Sequence, residues 1–326
     1  MTEINPITDA TIARAVMRLR VGDLVAFPTE TVYGLGADAT NASAVAQIFA
    51  AKQRPEFNPL ISHVTSPETA FELGTETPIA TALANAFWPG PLTLVLNRKT
   101  PCPVAMLTTA GLDKIGLRVP AHKGAQLLLR AFGKPLAAPS ANLSGQISPS
   151  TAAHVIHGLG ENAEFVLDGG PCKSGLESTI IDCTGTNACL LRPGGITREA
   201  VTTALAEAGL NPAINIAKPL DDKEKPIAPG QLTSHYAPRA RLRLAAKRQH
   251  LGEEMLGFGK INGAGKLRLN LSPSGNLIEA AANLFSMLHA ADATSTARIA
   301  VAPIPDTGLG EAINDRLRRA AAPRPD

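Results

Sequence analysis

The chain has little that would staple, export or anchor it. Its four cysteines, Cys102, Cys172, Cys183 and Cys189, form no C-x-x-C pair and have no histidine at zinc-finger spacing. This argues against a structural zinc site and leaves reduced thiols, as expected of a cytoplasmic protein. No apolar run approaches the roughly 18 residues of a membrane span. The opening residues put no basic segment ahead of an apolar stretch, so a secretory signal is not expected. Aromatic residues make up 4%, too few for a surface that reads RNA mainly by stacking bases on rings. Charge of one sign is also scarce: the net +3 is compatible with anionic ligands without requiring nucleic acid. A G-x-S-x-G elbow, an H-E-x-x-H helix, a Walker P-loop and a kinase motif set are all missing, so covalent catalysis and zinc hydrolysis have no support.

What is present is 326 residues, 44% of them hydrophobic, enough for roughly two domains with cores of their own. Apolar residues at helical spacing predict helices over 9–20, 43–52, 80–87, 123–132, 151–159 and 198–208. Short apolar runs at 24–27, 59–64, 92–96, 115–119, 136–138, 165–167, 179–182 and 190–192 read as strands between them. The alternation predicts an α/β or α+β sheet domain over 1–208. TETVYGLG, after Pro28, is too rich in glycine and hydroxyls for core and reads as a functional loop. Residues 209–238, dense in proline and charge, read as a linker. A second strand and helix alternation fills 239–326, with strands near 241–245, 254–258 and 299–303 and helices near 277–288 and 310–320. The basic run from Arg239 to Arg248 reads as the outward face of a strand rather than an RNA grip.

Three constellations carry chemistry. PTETVYGLG precedes a cation pair, Lys52 and Arg54, and then NPLISH with Asn58 and His63. Hydroxyls and backbone amides beside paired cations suit a small polar substrate held against phosphate oxygens. PSANLSG, with Ser140 and Asn142, leads into SPST with Ser150, where a capped helix start offers amides to an anion. Arg118 in GLRVP and Arg192 in LLRPGG end strands beside glycine-rich turns, next to SGLESTIID. Two planar guanidinium forks there make a clamp for carboxylate or phosphate.

In combination and in order, FPTETVYGLG, K-x-R-P with NPLISH, WPGPLTLVL, GLRVP, APSANLSG, SGLESTIID and LLRPGGIT resemble the YrdC-like family of L-threonylcarbamoyl-AMP synthases. The linker ending in His235-Tyr236-Ala237-Pro238 resembles its two-domain branch, as do EAAANLFSMLHAAD and GLGEAINDRLRRAA. PGQLTS stands before His235 where the family usually carries basic and aromatic residues. The resemblance implies a twisted mixed sheet with flanking helices and an open concave cleft, plus a smaller, shortened Rossmann-like C-terminal domain. It implies an enzyme joining L-threonine, bicarbonate and ATP, with Mg²⁺, into threonylcarbamoyl-AMP and pyrophosphate. A partner transferase would then modify tRNAs reading ANN codons, with weak tRNA contact as a further expectation. By resemblance, Thr31, Tyr33, His63, Arg118, Ser140 and Ser178 contact threonine or its carbamate. Lys52, Arg54, Asn58, Asn142, Ser150 and Arg192 contact the nucleotide, and His235 and Tyr236 close over it. Lys52 and Arg54 are the catalytic pair, and Glu30 and Asp182 are candidate Mg²⁺ ligands. The competing readings are a non-catalytic RNA-binding or ribosome-maturation module and a hydrogenase-maturation carbamoyl transferase. The second would bring an acylphosphatase domain and zinc-finger cysteine pairs, which this chain lacks.

Overall fold

A computed structural model describes residues 3–218, 225–231 and 235–323. Strand β1 (Glu3–Pro6), helix α1 (Asp9–Val21), the hairpin β2 (Val25–Phe27) and β3 (Gly34–Asp38), then α2 (Ala42–Lys52) and β4 (Ile61–His63) open the chain. Helices α3 (Pro67–Leu73) and α4 (Pro78–Phe87), strands β5 (Leu92–Asn97) and β6 (Lys114–Arg118), helix α5 (Lys123–Phe132) and β7 (Leu136–Ala137) follow. Then come α6 (Ala152–Leu159), β8 (Phe165–Asp168), β9 (Thr179–Asp182), β10 (Cys189–Arg192), α7 (Arg198–Glu207) and β11 (Asn215–Ile216). These strands make one mixed sheet in the order β1-β8-β2-β3-β7-β4-β6-β5-β9-β10-β11.

Local chemistry sets the ends that matter. Thr8 caps α1 by accepting the Thr11 N–H, and Gly22, at φ +96°, supplies the left-handed stop. The inner face of α1 (Ile12, Val16, Leu19) packs on Leu128, Leu129 and Phe132 of α5 over the sheet. Each such buried side chain stabilises the layer by about 1.5–3 kcal/mol. Helix α2 stops at Gln53, itself left-handed, two residues before Pro55, so Lys52 and Arg54 lie at its end.

TETVYGLG is only half a loop, contrary to expectation. Its second half is β3, fully buried between β2 and β7. The glycines serve packing: a Cβ on Gly36 would lie 2.7 Å from the Phe27 ring. Composition marked these residues as too polar for core, but small residues under an aromatic ring make core equally well. Strand β1, pairing in parallel with β8, and β11, on the far edge, were not anticipated either.

The C-terminal unit holds β12 (Arg241–Arg243), β13 (Glu253–Leu256), α8 (Leu277–Ala293), β14 (Arg298–Val301) and α9 (Leu309–Ala321). Its strands are all parallel, in the order β12-β14-β13, a small Rossmann-like sheet. Its core of Leu284, Phe285, Ile299, Ile313 and Leu317 is continuous with Val32, Ile147 and Leu176 of the first domain, and Tyr236 of the linker sits in the same cluster. The two cores therefore meet rather than standing apart. Of the segment PGQLTS, where the linker departs from the family pattern, residues 232–234 lie outside the described residues.

Candidate functional site

Strands β4 and β6 run parallel with His63 opposite Arg118, so both side chains emerge at the carboxyl ends of neighbouring strands, the usual place for a ligand in such sheets. They wall a cavity with Thr29 and Thr31 from the first loop, Ser140 from the loop after β7, and Ser178 just before β9. Arg54 and Arg192 line its other side. Gly230, His235 and Tyr236 of the linker roof it, leaving about 50 Å³ enclosed.

Each polar wall is braced. The Arg118 guanidinium donates to Glu30 Oε1 at 2.5 Å, and Glu30 Oε2 accepts the N–H groups of Ala121 and His122 at 3.0 and 3.3 Å. Thr31 and Thr29 hydroxyls lie 2.7 Å apart. Arg192 donates through Nε and Nη2 to the Ser178 carbonyl at 3.2 and 2.9 Å and through Nη1 to Pro229 at 3.3 Å, tying strand end to linker. The Ser178 hydroxyl lies 2.7 Å from that of Thr93.

The cation side is unusual. Arg54 is buried, and its guanidinium donates to the carbonyls of Asn58 and Pro59 at 3.1 and 2.9 Å, with no carboxylate in contact among the described residues. Burial lowers it to about 10. Lys52, fully buried, donates to the Ser140 carbonyl at 2.5 Å and to that of Asn142. Burial, then the adjacent Arg54, pull it well below the usual lysine range. His235 is likewise driven well below its ordinary value by burial and by Arg54, Lys52, Arg192 and Arg316 around it. His63 is pushed down to about 3 by burial and by Arg118, so it is a neutral imidazole at physiological pH.

Not every expected residue reaches the cavity. Tyr33 is turned away: its hydroxyl donates between Gly170 O at 2.8 Å and Asp168 Oδ1 at 3.0 Å and accepts from Gly169 N–H. The side chain is a buried strut, because a phenol at the start of β3 meets β8 and its following turn. Lys52, Asn58, Asn142 and Ser150 lie behind the cavity wall rather than on it. Ser150 Oγ is 3.2 Å from His154 Nδ1. Asn142 Nδ2 donates to Leu143 and Gln146 carbonyls, whereas its Oδ1 and both amide atoms of Asn58 are buried without a partner among the described residues. Each such orphan costs about 1–3 kcal/mol, a cost that a polar ligand would relieve.

Two residues outside the expected set join the site. Glu177 accepts from the Ser148 hydroxyl at 2.5 Å and from Arg316 Nε at 2.7 Å. Burial opposes its charge, but Arg316 and Arg192 outweigh that and hold the carboxyl below the usual range. Arg316 comes from α9, where an arginine interrupts the stripe Ala312, Ile313, Leu317 and Ala320. A charged side chain at a core position of an amphipathic helix was the available signal.

Gly194 sets the spacing of this cluster. A Cβ there would lie 2.4 Å from both Glu177 O and Thr179 N. Gly194→Ala is therefore expected to cost about 1–3 kcal/mol or more, read as a lowered melting temperature. It should also shift Ser178, which unchanged stability would contradict.

As candidate Mg²⁺ ligands, Glu30 and Asp182 do not fit a resident cage. Glu30 is taken up as above; Asp182 accepts from Lys114 at 2.8 Å and from the N–H and hydroxyl of Thr184. Among the described residues no three His, Cys, Asp or Glu side chains cluster as a metal site.

A mixed sheet with a cleft at its strand ends, lined by arginines and hydroxyls, defines the class of fold, and the fold matches E. coli YciO (TM-score 0.55, 24% identity, 60% of this chain and 96% of that one). The chain belongs to the Sua5/YrdC family: the family model described as "Telomere recombination" matches residues 17–194, and the "Threonylcarbamoyl-AMP synthase, C-terminal domain" model matches residues 196–322. A Bacillus subtilis protein named threonylcarbamoyl-AMP synthase is 42% identical over 97% of this chain and 94% of its own length. The crystal structure of P. abyssi Sua5 complexed with L-threonine superposes with a TM-score of 0.87 at 37% identity, covering 98% of each chain. Among the described residues no helix is long and apolar enough to cross a membrane.

Proposed function

We propose that this enzyme is a threonylcarbamoyl-AMP synthase, a nucleotidyltransferase that joins L-threonine, bicarbonate and ATP. The observation that carries the reading is the side-by-side arrangement of a hydroxyl-lined pocket holding neutral His63 and braced Arg118, and buried cations with, among the described residues, no carboxylate on Arg54. Thr31, His63, Arg118, Ser140 and Ser178 would hold threonine and its carbamate. Arg54 and Arg192, with Lys52, Asn58, Asn142 and Ser150 behind them, would receive the triphosphate. Tyr33 would act as a strut.

Threonine and bicarbonate condense to the carbamate with loss of water, and a carbamate oxygen then attacks the α-phosphate of ATP and expels pyrophosphate. The reaction needs no protein nucleophile. The chain's tasks are to align two anions and to offset the charge growing on phosphate, and alignment alone lowers a barrier by about 7–11 kcal/mol. Mg²⁺ would enter with ATP, since Glu30, Asp182 and Glu177 are already paired. His235 and Tyr236 would shut water out from the mixed anhydride. In this reading the pair is a lid that lifts to admit the nucleotide. The product would pass, in the cytoplasm, to a transferase acting on tRNAs that read ANN codons, with weak tRNA contact by this chain at most.

The test is pyrophosphate release from ATP and Mg²⁺ with and without L-threonine and bicarbonate, with serine as control. Dependence on both, with preference for threonine, is the expected result. ATP left untouched, or cleaved regardless of threonine, would overturn the reading and favour an RNA-binding module. Truncation after Thr197 tests the lid, and full activity in the truncated chain would remove it from the mechanism.

A further inference from the structure

We infer that Arg316, on the last helix of the C-terminal unit, is a positioning residue that holds the linker's Tyr236 closed over the site. The inference rests on the reading of the linker as a lid. Arg316 is fully buried. Its guanidinium carbon lies 5.0 Å from the centre of the Tyr236 ring, its Nε donates to Glu177 at 2.7 Å and its Nη1 to Asp315 at 2.7 Å. Phe285 of α8 flanks the same ring at 5.8 Å, and the His235 N–H donates to the Arg319 carbonyl at 3.2 Å. The C-terminal unit therefore grips the linker by ring stacking, a cation against a π face and a backbone hydrogen bond.

The grip reaches the cavity. Glu177 stands beside Ser178 and accepts from Ser148, so one guanidinium joins the linker, the strand end and the serine loop. A planar fork is needed for this: it stacks on a ring while bonding two carboxylates. A lysine could serve Glu177 alone. That difference separates positioning from a plain ion pair.

The experiment compares full-length wild type with Arg316→Lys and Arg316→Met, first without substrate. Amide exchange of the peptide spanning 235–240 is followed by mass spectrometry, and melting temperature reports whether each variant folds. Arg316→Lys is expected to keep the fold but raise exchange of that peptide roughly tenfold, the scale of losing one buried cation–π contact. Unchanged exchange in a folded Arg316→Lys overturns the inference whether or not the protein makes threonylcarbamoyl-AMP, because no turnover is read. Should Arg316→Met fail to fold with Glu177 unpaired, Glu177→Gln is combined with it.

The second arm reads threonine-dependent pyrophosphate release in a cycle with Tyr236→Leu. If Arg316 acts through the ring, the double variant loses no more than Tyr236→Leu alone. Losses that multiply would show that Arg316 acts independently of Tyr236 and would overturn the inference. Wild type without threonine-dependent release would sink the synthase reading and leave the exchange result standing.

Discussion

Arg54→Ala is expected to lower threonine-dependent pyrophosphate release by roughly 10²–10³-fold, the scale of removing one preorganised group aimed at developing charge. The melting temperature should hold or rise. Arg54 is buried with two carbonyls and, among the described residues, no carboxylate as partners, so those residues leave its charge uncompensated. An isolated buried charge is expensive, and its removal offsets the loss of two hydrogen bonds. An anion between Arg54 and Arg192 reverses that balance. Turnover and thermal unfolding measured on the same preparation check both halves. Unchanged activity would take Arg54 out of the clamp, and collapse of the fold would mean that the two carbonyls matter more than the charge.

Stability should fall steeply in mild acid. His63, lowered to about 3, and His289, lowered to about 4, both chiefly by burial, are neutral in the native state and titrate near the ordinary 6.5 when unfolded. A depressed native value means that the unfolded chain binds more protons once the pH drops below 6.5. The contribution is therefore whole above 6.5 and is lost on the way down to 3–4. At pH 5 each imidazole accounts for about 2 kcal/mol, so the pair removes about 4 kcal/mol relative to pH 8. His235, lowered in the same sense, adds to it. Urea unfolding at pH 8, 6.5 and 5 measures this directly. A flat profile between 8 and 5 would mean that these rings are solvated or already charged. The same reasoning keeps His63 from titrating near neutral pH, so it can orient a substrate there without a change of charge.

Much of this was legible in the sequence, for a physical reason. Helix stops at Gly22 and before Pro55 are local chemistry, and the apolar runs that became β4, β5, β6, β8, β9 and β10 needed only their own composition. Arg118 and Arg192 stood out as strand ends beside glycine-rich turns, His63 stood out within a polar motif, and Ser178 came with the resemblance; the fold brings all four to one cavity. What escaped depends on residues far apart. The β3 glycines look like a loop until Phe27 is set over Gly36. The outward turn of Tyr33 is decided by Asp168 and Gly170, over 130 positions away. Glu177 and Arg316, 139 positions apart, look like an ordinary motif acid and an ordinary helix arginine until the domains meet.

That separation bears on how the molecule is made. During synthesis the sheet, the cavity walls and Glu177 leave the ribosome long before helix α9 does. Until residues 309–321 emerge, Glu177 has no guanidinium from Arg316 and the Tyr236 ring has no cation against its face. These contacts therefore form only once α9 has emerged. On the reading of the linker as a lid, a growing polypeptide has nothing from α9 to hold that lid shut until those residues have left the ribosome.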